Sequence, residues 1–346
     1  MLDKRTIDIS TGIIFRTVLI ALGIWILYLI RGIIAILFVA LIVSAAIDPA
    51  IKWLVKKRIP RSIAVLAIFL GMFLIIGGAG SLLIPPIVFQ FKNFTRDFPS
   101  EIGKLSGEIS GLENYFQSQG IDFSSQEFFK GIGSQISDSS GKIFTTTVGV
   151  FHGIISFIAI LSLTFYLSIK EEGMKNFLLS VTPIAHENYA MSLVERIRER
   201  IGKWLQGQLF LMLTIFVLDF VALYLLGIPY ALILALFAGL MEIIPYIGPI
   251  ISAIPGVILG FLISPVTGLM ALAVYVIVQQ FENHVIVPQV MKKAIGLNPV
   301  TVILALLIGA KLGGVLGAIL AVPLAAAGSV FIKDLLAKKA QVPEQI

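Results

Sequence analysis

Ordered by polarity, the chain alternates apolar runs of about twenty residues with short charged connectors. A helix crossing about 30 Å of hydrocarbon needs roughly 20 apolar residues at 1.5 Å per residue. By that measure residues 13–30, 33–51, 63–87, 146–169, 205–226 and 267–287 are six full spans. The first follows Lys4 and Arg5, has no small-residue cleavage site after it and leads at once into the second. It is expected to be an anchor, not a removed signal.

Two further apolar segments are broken. Residues 230–263 are interrupted by Ile244-Pro245-Tyr246-Ile247-Gly248-Pro249 and again at Pro255, which a straight helix cannot pass. The limbs, 230–243 and 250–263, each reach only about 20 Å, short of the hydrocarbon thickness. Residues 299–332 are split in the same way by Gly309-Ala310-Lys311-Leu312-Gly313-Gly314, with Lys311 near the tip. Two re-entrant hairpins fit these limbs, entering from opposite faces so that their tips approach near mid-membrane, a geometry typical of transporters. The alternative is that Pro and Gly merely kink ordinary spans. The charge pattern favours hairpins, because a returning segment keeps Lys292 and Lys293 on the same side as Lys333, Lys338 and Lys339. GxxxG spacings at Gly256 and Gly260, Gly309 and Gly313, and Gly313 and Gly317 suit close packing and a sliding hairpin equally.

The expected fold is an all-α polytopic membrane protein with about eight membrane segments. Its divisions are membrane helices in 1–89, an extracytoplasmic polar insertion at 90–142, a fourth membrane helix in 143–170 and a cytoplasmic amphipathic helix in 171–203. A core at 204–337 carries both breaks, and a tail occupies 338–346. Within the amphipathic stretch, Val194, Ile197, Ile201 and Trp204 share one face, while Glu195 with Arg198 and Glu199 with Lys203 sit at pairing distance. It reads as a solvated interfacial helix or as a contact to a subunit or gate.

Composition narrows the function. Hydrophobic residues make up 58% and charged residues 13%, about half the charged share of a globular domain, so a soluble enzyme is excluded. The excess of 26 basic over 20 acidic residues lies at span ends, which argues against nucleic acid. Lys52, Lys56, Lys57, Arg58 and Arg61 place that connector, and with it the N-terminus, in the cytoplasm, and the returning hairpins bring the C-terminus to the same side. There is no cysteine, no HExxH and no GxxxxGK[ST], and the three histidines, His152, His186 and His284, form no closely spaced pair. Neither a metal, a cofactor nor an ATP-driven cycle is expected, and no enzymatic constellation can be assembled. Any work must draw on gradients.

Ionisable side chains inside a bilayer cost at least about 2.5–3.5 kcal/mol, so each is a functional suspect. Asp219, Glu242, Glu282 and Lys311 stand out, with Gln279, Asn283 and His284 near Glu282. Together they could wall one polar cavity in which a desolvated carboxylate exchanges a proton or holds a cation; the bland reading is an ion pair of Lys311 with Glu242 or Glu282. Asp48, Arg16 and Arg31, at span ends, are expected only to snorkel. His152 is expected to be a hydrogen-bonded core residue.

The stretches Met241-Glu242-Ile243-Ile244-Pro245-Tyr246-Ile247-Gly248-Pro249 and Gln279-Gln280-Phe281-Glu282-Asn283-His284-Val285-Ile286-Val287-Pro288 resemble the autoinducer-2 exporter family. Gly296-Leu297-Asn298-Pro299, Leu306-Leu307-Ile308-Gly309 and Ala321-Val322-Pro323-Leu324-Ala325 look like that family's closing region, in matching order. The likeness is strong from Trp204 onward. It implies a multi-span bacterial inner-membrane transporter linked to export of a small polyhydroxylated signal in quorum sensing, or to sodium/proton antiport, and an oligomer of identical chains, with the pentamer expected. Glu242, Pro245, Gly248, Pro249, Gln279, Glu282, Pro288 and Pro299 match its motif positions. Asn298 stands where relatives often carry histidine and Lys311 where an acidic residue is frequent, which counts against a proton role for that tip. The resulting candidates for a solute or ion pathway are Asp219, Glu242, Pro245, Tyr246, Gly248, Pro249, Gln279, Glu282, Asn283 and Lys311. The cargo would be a small polar solute, H⁺ or Na⁺. A non-transporting membrane scaffold is the reading from another class.

Overall fold

The computed structural model describes residues 11–108, 147–170, 179–180, 182–291 and 297–340. All regular structure among them is helical. The helices are α1 (Thr11–Leu29), α2 (Arg31–Lys56), α3 (Arg61–Glu108), α4 (Thr147–Ile169) and α5 (Glu187–Leu225). Then come α6 (Ala231–Met241), α7 (Ile247–Ile263), α8 (Pro265–Phe281), a π-helical turn (Glu282–Ile286), α9 (Val287–Met291) and α10 (Pro299–Ala340). α2, α3, α5, α8 with its continuation, and α10 are long and apolar enough to cross a bilayer, and α1, α4, α6 and α7 supply shorter apolar helices. Bulky residues such as Leu74, Ile75, Leu82 and Leu225 face outward. Such a surface suits lipid, and helices are the form in which backbone groups there satisfy one another. The chain is an all-α polytopic membrane protein.

α5 organises the bundle. Trp204, Gln208, Leu211, Ile215, Asp219 and Leu223 recur every three or four residues and are all buried, the stripe of a helix packed along its length. At one end Ile201 and Trp204 join Ile42 of α2 and Leu306 and Val322 of α10. At the other, Leu223 joins Phe94, Ile228, Leu234, Leu259 and Tyr275. The expected amphipathic helix and fifth span are thus one helix, with Val194, Ile197, Ile201 and Trp204 facing inward. It stops in a Schellman turn: Gly227, at φ +68°, donates its N–H to the Tyr224 carbonyl and Ile228 donates to Leu223. Leu223 and Ile228, both buried, make the accompanying apolar contact.

α3 does not end near residue 87 but continues to Glu108; residues 109–142 of the expected polar insertion lie outside the described residues. The extension supports α6. Phe94 packs edge-on against Tyr230, whose hydroxyl donates to Asp97 at 2.9 Å, and the Gln90 side-chain oxygen accepts the Ile233 N–H at 3.4 Å. Those contacts satisfy groups that a helix start leaves open.

Both expected breaks are present. α6 and α7 pack together across residues 242–246. Within α10, Gly314 adopts φ 60°, ψ −143°, and Gly309 and Gly317 meet backbone to backbone, so that a Cβ on either would strike the other's carbonyl. In a straight helix those glycines would be about 12 Å apart. The chain folds back at Gly314.

Asp48 does not snorkel. It is buried, with its carboxylate 2.8 Å from Lys52 Nζ and 3.3 Å from the guanidinium groups of Arg61 and Arg198. Pro49 lies inside α2, and Asp48 stands about two turns before the helix end, where α3 and α5 bring their cations to it. Arg61 Nε also donates to the Ser168 carbonyl of α4 at 2.8 Å, so four helices meet here. Glu195 accordingly pairs with Lys52, not with Arg198, while Glu199 and Lys203 pair as their spacing suggests. Arg196 clamps Asp334 with both terminal nitrogens, tying α5 to α10.

Candidate functional site

The break between α6 and α7 turns on Tyr246. Its φ of 67° and ψ of −45°, with the Ile247 N–H donating to the Pro245 carbonyl at 2.8 Å, form a γ-turn of the positive-φ kind. Non-glycine residues rarely hold that conformation, and strain of this sort gathers at functional sites. Gly248 follows, buried, donating to the Ile244 carbonyl. A Cβ there would run into the Met241 carbonyl. The turn leaves Glu242 buried at the end of α6.

Glu282 approaches from α8, where the helix widens into the π turn, a form that appears mostly at functional positions. Glu242 and Glu282, both buried, line one cavity. Ionised carboxylates only accept, so the two can approach closely only with a proton between them. Two amides brace the pair. Gln279 Nε2 donates to Glu282 Oε2 at 3.1 Å, and Gln208 Nε2 donates to the Glu242 main-chain carbonyl at 2.7 Å.

A cavity of about 380 Å³ opens over the pair. Trp204, Gln208, Glu242, Pro245, Tyr246, Gln279, Glu282 and Asn283 face it, and Pro288, Pro299 and Val322 close its far wall. Two buried polar atoms in this wall have no partner among the described residues: the donor Trp204 Nε1 and the acceptor Glu242 Oε2. Such groups are costly unless something satisfies them. A ligand able both to accept from the indole and to donate to the carboxyl would do so.

Six of the ten sequence candidates thus meet around one cavity: Glu242, Pro245, Tyr246, Gln279, Glu282 and Asn283. Gly248 stands directly behind. Asp219 and Pro249 line a second cavity, which shares Gln279 with the first. Lys311 is not brought to the cluster. It is exposed at the tip of the α10 hairpin, where Leu312 and Val315 are 73% and 71% exposed. About 20 Å of helix between Pro299 and Gly313 carries that tip away, so the base of the hairpin walls the cavity and the two tips do not meet. His284 is exposed as well, its Nδ1–H donating to the Gln280 carbonyl. The side chain of His152 lies outside the described residues. Among the described residues, no group of three or more His, Asp and Glu side chains converges to hold a metal.

Neither Trp204 nor Gln208 is among the ten candidates that the sequence suggests for the pathway. The signal was available: both fall on the buried stripe of α5 that also carries Asp219, and a polar atom on such a stripe must either find a partner or face a cavity.

A family model described as AI-2E family transporter matches residues 14–337. Among curated relatives, "Putative transport protein YueF" of Bacillus subtilis is 29% identical over 84% of this chain and 80% of its own length. "Putative transport protein YrrI" of the same organism is 27% identical, over 83% and 82%. A protein of Halobacillus andaensis named "Sodium-lithium/proton antiporter" is 24% identical, over 82% and 84%.

Proposed function

The chain belongs to the AI-2E transporter family, and from that premise we propose that it exports a small hydroxylated solute along an ion gradient through the Glu242–Glu282 cavity. The observation that carries this reading is the unpartnered pair on the cavity wall, Trp204 Nε1 and Glu242 Oε2. A hydroxyl group accepts from the first and donates to the second at once. A bare cation cannot accept from an indole N–H. The volume of about 380 Å³ matches a small organic molecule. A proton shared by Glu242 and Glu282 would supply coupling: a solute hydroxyl that engages Glu242 would compete with Glu282 for it, linking solute arrival to proton release. We place the end bearing Lys52, Arg58 and Arg61 in the cytoplasm of a bacterial inner membrane, following the positive-inside rule.

Uptake of a panel of labelled small polyols into inverted proteoliposomes, with and without an imposed pH gradient, tests the reading. Trp204→Phe and Glu282→Gln are each expected to abolish gradient-driven uptake of the accepted solute. Undiminished uptake in both variants would overturn the proposal.

A second reading, cation/proton antiport, is favoured by the two buried carboxyl groups lining one cavity and by the name of the Halobacillus relative. It expects added Na⁺ or Li⁺ to dissipate a pH gradient in wild-type vesicles but not in Glu282→Gln, with Trp204→Phe unaffected. The response of Trp204 separates the two readings.

A further inference from the structure

Across α8 from the first cavity lies a second, of about 470 Å³. Its mouth is formed by Ile250, Ile254, Leu272 and Val276, all exposed on the outer surface of the helices, so it opens toward the lipid. Its floor differs in character. Asp219 and Tyr275 are only 2% and 8% exposed, and Asp219 Oδ1 and the Tyr275 hydroxyl have no hydrogen-bond partner among the described residues. Tyr275 is held in place by Gly256, where a Cβ would collide with the phenol ring. The nearby Ser252 hydroxyl is engaged with the Pro249 carbonyl. A carboxyl and a phenol oxygen therefore end an apolar shaft, with no cation of this chain paired to the acid among the described residues.

We propose that this cavity is a lipid-accessible binding site for lipophilic amines, separate from the hydroxylated-solute site. The apolar body of the ligand lies between Ile250, Ile254, Leu272 and Val276, and its ammonium donates to Asp219 Oδ1 and to the Tyr275 oxygen. Both oxygens accept, so a donor-only head fits where an anionic one is rejected. A compact apolar cage bearing one ammonium needs much less than the available volume. Entry from the bilayer suits such molecules, which partition into membranes with the charged head at the interface. Gln279 borders both cavities, so occupancy of one is felt beside Glu282 in the other.

Equilibrium binding of radiolabelled amantadine to full-length protein in lipid nanodiscs tests this, with adamantanol and adamantane carboxylate as competitors of matched cage. Binding is read without flux, so its outcome stands apart from the transport proposal. Saturable amantadine binding is expected, displaced by neither competitor at equal concentration. Asp219→Asn should weaken it roughly thirtyfold or more, the loss that follows removal of one partner from a buried charged contact. Ile254→Trp, an exposed substitution that narrows the mouth, should weaken it with Asp219 intact. Absence of saturable binding, equal displacement by adamantanol, or unchanged affinity in Asp219→Asn would overturn the proposal.

Discussion

Replacing Asp48 with Asn removes one negative charge from among three positive ones, and distance and burial rank those three differently. Lys52 is nearest at 2.8 Å, but its side chain is 46% exposed. Pairs of that kind contribute about 0.2–1 kcal/mol. Arg198 is farther, at 3.3 Å, yet its side chain is only 10% exposed. Taking the partner from a buried ion costs about 3–5 kcal/mol. Arg61 is intermediate at 24% and keeps its bond to the Ser168 carbonyl. Asn retains one acceptor oxygen, so the net loss should be about 2–4 kcal/mol, carried mainly by Arg198. For a chain of this size that corresponds to a fall of about 5 °C in the unfolding midpoint. Intrinsic-fluorescence melts of purified protein in detergent measure it directly. A double-mutant cycle with Arg198→Met and Lys52→Met then apportions the loss, and the Arg198 coupling should be about twice the Lys52 coupling or more. Equal couplings, or a midpoint for Asp48→Asn within a degree or so of wild type, would refute the claim that burial outranks distance at this junction.

Substitutions at four further positions have defined outcomes. Gly313→Ala meets open space and should leave the melting midpoint unchanged or slightly raised, whereas Gly314→Ala, also in open space, must hold φ 60°, ψ −143° and should lose about 1–3 kcal/mol; paired melts compare them. Tyr246→Gly relieves the positive φ of an exposed residue and should raise the midpoint by about 1–2 °C while slowing flux, because the ring borders the cavity. Gln208→Leu takes the donor from the buried Glu242 carbonyl and should cost about 1–3 kcal/mol in the same assay, a loss that Gln208→Asn, too short to reach, does not spare.

How much of this was legible in the sequence depends on the range of the interaction. The breaks at 244–249 and 309–314 could be read because Pro and Gly act on their own backbone, and the hairpin at Gly314 needs nothing beyond its neighbours. The convergence of Glu242, Gln279 and Glu282 could be suspected because each is polar in an apolar run. The junction at Asp48 could not be read, since Arg198 lies 150 residues away and nothing local marks it as a partner. A charge near a helix end looks the same whether it reaches for water or is packed under three cations. Lys311 misled for the opposite reason: its place near a tip was clear, but the direction of that tip is set by the Gly309–Gly317 contact and by where Pro299 starts the limb. The π turn at Glu282 left no trace either, because one extra residue in a helix has no composition of its own. The polar composition past residue 87 marked the end of the apolar span but gave no sign that α3 runs on unbroken to Glu108.

The continuity of α5 has a mechanical consequence. One unbroken helix carries Arg198 at the four-helix junction, Gln208 beneath the carboxyl pair and Asp219 in the lipid-side shaft. From Arg198 to Leu225 it runs about 40 Å at 1.5 Å per residue. Pivoted at the ionic junction, a tilt of about 5° would swing the far end by about 3–4 Å, more than a hydrogen-bond length. Both chambers share that lever, so such a tilt would move the walls of both together.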